Sequence, residues 1–244
     1  MGILDRLFAP DVEVRSAPIG ASWDDLTEQE DAVVARAVDS RRREFATGRT
    51  LARDGLRALG LVDPERLQLL PDADRVPIWP PGFVGSITHK RELCAVAVAR
   101  SEAYRGLGLD IEPARPVRPE FQTRICTEQE RSELQNLSRK EQGLRCRVVF
   151  SVKEAVYKAF YPSLRERWSF QDVAVEIDPT AHRFLAEVPR STGVARVEGS
   201  VVLRAGWIVA AIALPSEADG SALPVAPLRE SASAPTPAFR PPRG

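Results

Sequence analysis

The stretch GLGLDIE, Gly106 to Glu112, decides how this chain is to be read. Successive side chains of an extended strand leave opposite faces, so Leu109 and Ile111 point into a core while Asp110 and Glu112, two apart, leave the same face together. The strand thus offers two hard oxygen donors side by side.

Two neighbouring stretches add to that charge: GSITHK, Gly85 to Lys90, and FSVKEAVYKAF, Phe150 to Phe160. In the second, Ala155, Val156, Ala159 and Phe160 form the buried stripe of a helix, and Glu154 and Lys158, four apart, share another face. Mg2+ is usually held by one or two carboxylates together with substrate phosphates and water, and a lysine beside it neutralises a phosphate oxygen as a point charge. The three stretches read as one divalent-metal and phosphate site, and the expected substrate is a polyphosphate or diphosphate ester. Composition agrees. The chain has 34 Lys+Arg, yet only Lys90, Lys140, Lys153 and Lys158 are lysines and only His89 and His182 are histidines. Three of the four lysines and one of the two histidines fall in these stretches.

At 244 residues with a formal net charge of zero, the chain is long enough for one large domain or two small ones and lacks the broad basic surface of a nucleic-acid binder. Cys94, Cys126 and Cys146 form an odd set without metal spacing, expected as free thiols in a reducing compartment. The start MGILDRLFAP has no long apolar run, and no stretch approaches the ~20 apolar residues of a membrane span. A cytoplasmic protein is expected.

Along the chain, an edge strand is expected at Val12 to Arg15. A helix starts from a capping box of Thr27 and Glu30 and continues, with a break, to Leu59, with Gly60 as C-cap. Short strands are expected at Leu67 to Leu70 and Pro77 to Trp79, then paired strands at Val84 to Thr88 and Leu93 to Ala99. After the Gly106 strand come a proline-broken loop, a helix at Glu128 to Leu137, and the Lys153 helix, expected to stop at Tyr161-Pro162. Four more strands follow, at Asp172 to Ile177, Arg183 to Val188, Arg196 to Leu203 and Trp207 to Leu214. From Ser216 the chain is rich in Ala, Ser and Pro and is expected to be a disordered tail. No internal repeat is read from the sequence.

A Thr-His strand end, then Gly-Xaa-Asp-Xaa-Glu, then Lys-Glu-Ala-Xaa-Xaa-Lys-Ala, in that order, resembles the 4'-phosphopantetheinyl transferases, with most similarity to the monomeric enterobactin and surfactin synthetase type. The resemblance extends upstream to RRREFATGRTLAR, Arg41 to Arg53, and DRVPIWPPGFVGSITH, Asp74 to His89, and fades after Pro215. It implies an α/β (α+β) fold of two similar subdomains, residues 1–104 and 105–215, each a small mainly antiparallel sheet with a long helix. These would be related by a pseudo-twofold axis, with residues 216–244 as the tail.

The resemblance further implies that Asp110, Glu112 and Glu154 ligate Mg2+ and that Lys158 contacts the diphosphate of coenzyme A. Arg49 and His89 would hold the 3'-phosphate with Thr88 beside them, and Arg75 would reach a coenzyme A phosphate. Arg41 is favoured over Arg42, Arg43 and Arg53 as the further contact. Glu130 falls at the position of a base for the incoming hydroxyl, with Glu128 or a metal-bound water as the alternatives. One departure is Phe150, where many members carry tryptophan.

The expected reaction is transfer of the 4'-phosphopantetheine arm of coenzyme A to a serine of an apo acyl, peptidyl or aryl carrier protein, with release of adenosine 3',5'-bisphosphate. The enzyme would be a monomer with no nucleic-acid or membrane partner, serving secondary metabolism such as siderophore or polyketide assembly. The alternatives are a Mg2+-dependent hydrolase of coenzyme A or a related dinucleotide, and a coenzyme A binding protein without turnover.

Overall fold

The computed structural model describes residues 2–190 and 193–216; the expected tail lies outside them except for Ser216. The chain runs β1 (Glu13–Pro18), α1 (Glu28–Val34), α2 (Asp39–Ala58), β2 (Phe83–Lys90), β3 (Leu93–Arg100) and β4 (Tyr104–Pro113). It continues through α3 (Pro119–Ile125), α4 (Glu128–Leu134), α5 (Arg139–Leu164), β5 (Ala174–Asp178), β6 (Arg183–Arg190), β7 (Gly193–Arg204) and β8 (Trp207–Pro215). Two antiparallel sheets result, one of order β1-β3-β2 and one of order β4-β8-β7-β6-β5. The fold is α+β, each sheet carrying one long helix.

Strict alternation on β3 explains how the smaller sheet is covered. Cys94, Val96 and Val98 pack with Leu51, Ala52 and Leu56 of α2, while Ala95, Ala97 and Ala99 turn to a second core shared with Leu107, Leu109 and Ile111 of β4. The larger sheet presents Val201, Ile208, Ala210 and Ile212 to Val152, Ala155 and Ala159 of α5. At the seam, Ser86 Oγ of β2 accepts the Leu109 N–H of β4 at 3.1 Å. No helix among the described residues is long and apolar enough to cross a membrane. The three cysteines are buried free thiols.

Three expectations are corrected. Leu67 to Leu70 and Pro77 to Trp79 form no strands; the backbone makes only an isolated bridge, Pro71 to Pro77, because prolines at both positions remove the donors a ladder needs. Helix α5 runs through Pro162 to Leu164. A proline in the last turn forfeits little, and Arg165, at φ 57°, closes the helix by donating its N–H to Tyr161 O at 2.9 Å.

The third correction concerns repetition. The tetrapeptide TEQE occurs at Thr27 to Glu30 and again at Thr127 to Glu130. Both copies form complete capping boxes, and both glutamates are buried. Glu30 pairs with Arg53 of α2 and accepts the Leu69 N–H at 2.9 Å. Glu130 pairs with Lys153 of α5 at 2.8 Å and accepts the Val175 N–H at 2.9 Å. A buried charge knot of the same design fixes the long helix of each half.

Candidate active site

Strand β4 turns Gly106, Gly108, Asp110 and Glu112 towards α5. A Cβ added at Gly106 would lie 2.3 Å from the Ala159 carbonyl oxygen, and one at Gly108 1.9 Å from that of Ala155. Only glycine admits the helix backbone so close. Further along the strand, helix side chains take over from helix backbone. Ser151 Oγ donates to Asp110 Oδ2 at 2.9 Å, and Arg147 Nη1 donates to Glu112 Oε2 at 3.0 Å.

The remaining carboxylate oxygens face lysines. Lys158 Nζ donates to Asp110 Oδ1 at 2.7 Å, to Leu109 O at 3.1 Å and to Thr88 Oγ1 at 3.3 Å. Lys90 Nζ lies 2.8 Å from Glu112 Oε1. Thr88, expected beside the 3'-phosphate contacts, instead joins Asp110 and Lys158, to which its alternating position on β2 directs it.

Glu154, one turn before Lys158, is half-buried. Burial pushes its carboxyl above the ordinary carboxylate range; Lys158 opposes the rise, and the charges of Asp110 and Glu112 add to it. Three carboxylates therefore share one field. Among the described residues no three His, Cys, Asp or Glu side chains stand close enough to hold a metal ion as they are, since Asp110 and Glu112 are turned to Ser151, Arg147 and the lysines. The donor set still suits a hard divalent cation: all oxygen, with mutual repulsion among the carboxylates that such an ion would relieve.

Across the seam, Arg41, Arg49, Arg75 and His89 line one cavity of about 410 Å³, together with Glu44. Arg49 Nε donates to Leu69 O at 2.6 Å and its guanidinium lies 3.9 Å from the centre of the Phe45 ring; burial lowers its pKa to about 10, so it remains a cation at neutral pH. Arg41 Nη1 donates to His89 Nε2 at 2.5 Å, which leaves the ring proton on Nδ1, 3.2 Å from Glu44 Oε2. Burial holds His89 below the ordinary imidazole value; Glu44 counteracts this, while Arg41, Lys158 and Lys90 reinforce it. Of the four arginines left open by sequence, Arg41 is the one on this wall. Arg42 pairs with Asp31, and Arg53 is held by Glu30 and Leu67 O.

A second cavity, of about 600 Å³, continues past Arg75, Pro77 and Ile87, which line both, to Lys158, Tyr157 and Trp168. The two cavities thus border each other, with the arginine and histidine wall in one and Lys158 in the other.

The expectation for Glu130 as a base is corrected. Its Oε2 accepts from Lys153 Nζ at 2.8 Å and from the Thr127 N–H at 2.7 Å, while Oε1 accepts the Val175 N–H at 2.9 Å. A buried carboxylate with both oxygens committed has no room for an incoming hydroxyl. Glu128 is exposed on the first turn of α4.

Sequence reasoning missed Ser151, Arg147, Lys90 and Glu44. The signal for two of them was available. Arg147, Ser151, Glu154 and Lys158 recur at intervals of four, three and four, the spacing of one helical stripe. Glu44 carried no signal, because its partner His89 lies on another element.

Comparison with known proteins identifies the family. Residues 29–99 match the model of the 4'-phosphopantetheinyl transferase N-terminal domain, and residues 106–211 that of the 4'-phosphopantetheinyl transferase superfamily. The chain is 38% identical over 164 residues to 4'-phosphopantetheinyl transferase Svp of Streptomyces mobaraensis, covering 67% of this chain and 65% of that one. It is 35% identical over 166 residues to 4'-phosphopantetheinyl transferase PptT of Mycobacterium tuberculosis, covering 66% and 70%. With Enterobactin synthase component D of Salmonella typhimurium it shares 33% over 124 residues, 49% of this chain and 48% of the other. The match thus spans from about half to just over two thirds of these relatives' own length.

Proposed function

The chain belongs to the 4'-phosphopantetheinyl transferase superfamily, and from that premise we propose that it transfers the 4'-phosphopantetheine arm of coenzyme A to a serine of an apo acyl, peptidyl or aryl carrier protein. The observation that carries this reading is the pair of bordering cavities, one lined by Arg41, Arg49, Arg75 and His89 and the other by Lys158, whose Nζ lies 2.7 Å from Asp110 Oδ1. Coenzyme A has matching charge at two places, a 3'-phosphate and a diphosphate.

The N-terminal subdomain, residues 1–104, takes the 3'-phosphate end: Arg41, Arg49 and Arg75 supply charge-assisted donors, and His89 gains a proton as the phosphate arrives. The C-terminal subdomain, residues 105–215, takes the diphosphate. Asp110, Glu112 and Glu154 would hold Mg2+, which when bound neutralises diphosphate charge. The serine oxygen attacks the phosphorus that bears the pantetheine arm. The bond from that phosphorus to the bridging oxygen breaks, and adenosine 3',5'-bisphosphate leaves with the electron pair. Lys158 offsets the charge growing on the leaving oxygen. Phosphoryl transfer depends mainly on positioning and charge stabilisation, so the serine proton passes to water in the open cleft without a buried base. Glu130 keeps Lys153 and α5 in place. The enzyme works as a cytoplasmic monomer without a membrane partner, and the zero formal charge supports a reading without nucleic acid.

Intact-mass spectrometry of an apo carrier protein incubated with coenzyme A, Mg2+ and this chain tests the assignment. The carrier should gain one phosphopantetheine as adenosine 3',5'-bisphosphate appears. Cleavage of coenzyme A with the carrier unchanged would mark a hydrolase, and intact coenzyme A with an unchanged carrier a binder.

A further inference from the structure

The turn that carries Arg75 is organised by a single carboxylate. Asp72 Oδ1 accepts the N–H groups of Asp74 and Val76, each at 2.9 Å, and the Arg75 N–H closes on Asp72 O at 3.0 Å. Arg75 is thereby held at φ 67°, in the left-handed region that side-chain-bearing residues seldom adopt. The turn is one wall of the larger cavity; the opposite wall comes from α5 and the segment after it, including Tyr157, Lys158 and Arg167.

The other oxygen of Asp72 reaches across. Asp72 Oδ2 accepts from Arg165 Nη1 at 2.5 Å, and the neighbouring Asp74 accepts from Arg167 Nη2 at 3.1 Å and lies 3.7 Å from Arg165. Arg165 is the left-handed residue that closes α5, so the clamp is anchored to the end of the helix that carries Glu154 and Lys158. Two carboxylates and two guanidinium groups therefore tie the walls together at the rim.

We propose that the double ion pair of Asp72 with Arg165 and Asp74 with Arg167 is a clamp that positions Arg75 for a phosphate of the bound ligand by fixing the 71–77 turn against the C-terminal half. Asp72 and Arg165 are positioning residues: they act through Arg75 and need not touch the ligand. The inference rests on the reading that this cleft takes coenzyme A. Each pair is partly exposed and weak alone, and salt screens it. The effect therefore falls on the placement of the turn, leaving the overall fold in place.

The test measures coenzyme A binding to the full chain by titration calorimetry at low and high salt. It uses wild type, Arg75→Ala, the double variant Arg165→Ala/Arg167→Ala, the triple variant, and Arg165→Lys/Arg167→Lys. Hydrogen exchange at the Asp74 and Val76 amides is followed in parallel. The double variant should bind about three- to tenfold more weakly at low salt, with a smaller difference at high salt. The loss should appear in KM for coenzyme A more than in kcat, the two amides should exchange faster, and the lysine pair should restore most of the affinity. The triple variant should bind no worse than Arg75→Ala. Losses that multiply in the triple variant, or unchanged affinity or amide exchange in the double, overturn the clamp while leaving the coenzyme A reading intact. Wild-type affinity in Arg75→Ala would instead remove Arg75 from the coenzyme A site, and the clamp's purpose with it.

Discussion

The two halves share a frame and differ in what they hang on it. In each, a TEQE capping box buries a glutamate against a cation of the long helix, Arg53 of α2 or Lys153 of α5. Where each long helix meets its sheet, the difference lies in which partner carries the close-contact glycines. On the N-terminal side they are on the helix: a Cβ at Gly48 would come 3.0 Å from Ile87 Cγ2, and one at Gly55 2.6 Å from Val98 Cγ2. On the C-terminal side they are on the strand, under the carbonyls of Ala155 and Ala159. The first half gathers Arg41 and Arg49 of α2 and Arg75 of the 71–77 turn around a cavity with His89 of β2, while the second brings carboxylates from β4 against α5. One scaffold serves opposite charges.

If the two knots are equivalent, removing either cation should do similar damage. Arg53→Met and Lys153→Met are each expected to cost about 3–5 kcal/mol, because each leaves a buried carboxylate unpaired. Denaturant unfolding measures both, and a cost below 1 kcal/mol for one of them would show that its knot is ornamental. The chemical half breaks differently. Asp110→Ala and Glu154→Gln should keep the fold by circular dichroism while single-turnover transfer falls 10²–10³-fold, about 2.7–4 kcal/mol. Rates within threefold of wild type for both would sink the carboxylate assignment.

The glycines sharpen the contrast further. Gly108→Ala sets a methyl against a backbone carbonyl and should cost about 1–3 kcal/mol or more, whereas Gly55→Ala meets a valine methyl that can shift and should cost less. Equal costs would show that the two helices approach their sheets alike. The smallest effect is a proton. His89 sits below its ordinary value in the free chain, so between its lowered pKa and about 6.5 the folded state binds fewer protons than the unfolded one. Stability should therefore rise with pH through that window, and His89→Gln should flatten the rise. Filling the cavity with a phosphate reverses the bias. Calorimetry in buffers of different ionisation enthalpy should find proton uptake when coenzyme A binds, and none with dephospho-coenzyme A or with His89→Gln.

Much of this was legible in the chain. The alternation of GLGLDIE gave β4 and its carboxylates, and the Thr27 capping box gave α1. Local rules failed where the decisive partner is remote. Glu130 resembles a base until Lys153 and the Val175 N–H arrive from other elements to occupy it. The repeat escaped notice because the halves keep the buried knot and little else: Arg53 stands where Lys153 does, and Val38 where Ser138 caps α5. Pro162 pointed to an earlier helix end than the one observed, since the left-handed Arg165 could not be foreseen.

The contacts between α5 and β4 also act as a ruler. Ala159 lies over Gly106, Ala155 over Gly108, Ser151 on Asp110 and Arg147 on Glu112: four residues of helix for every two of strand. Four helical residues rise about 6.0 Å and two strand residues about 6.8 Å, so the scales nearly match over this length. Sliding the helix by one residue would set a side chain where only a carbonyl fits and leave both carboxylates facing the wrong neighbours. A viable insertion in β4 must therefore come in twos and be answered by four in α5, which ties the lengths of two segments far apart in sequence to each other.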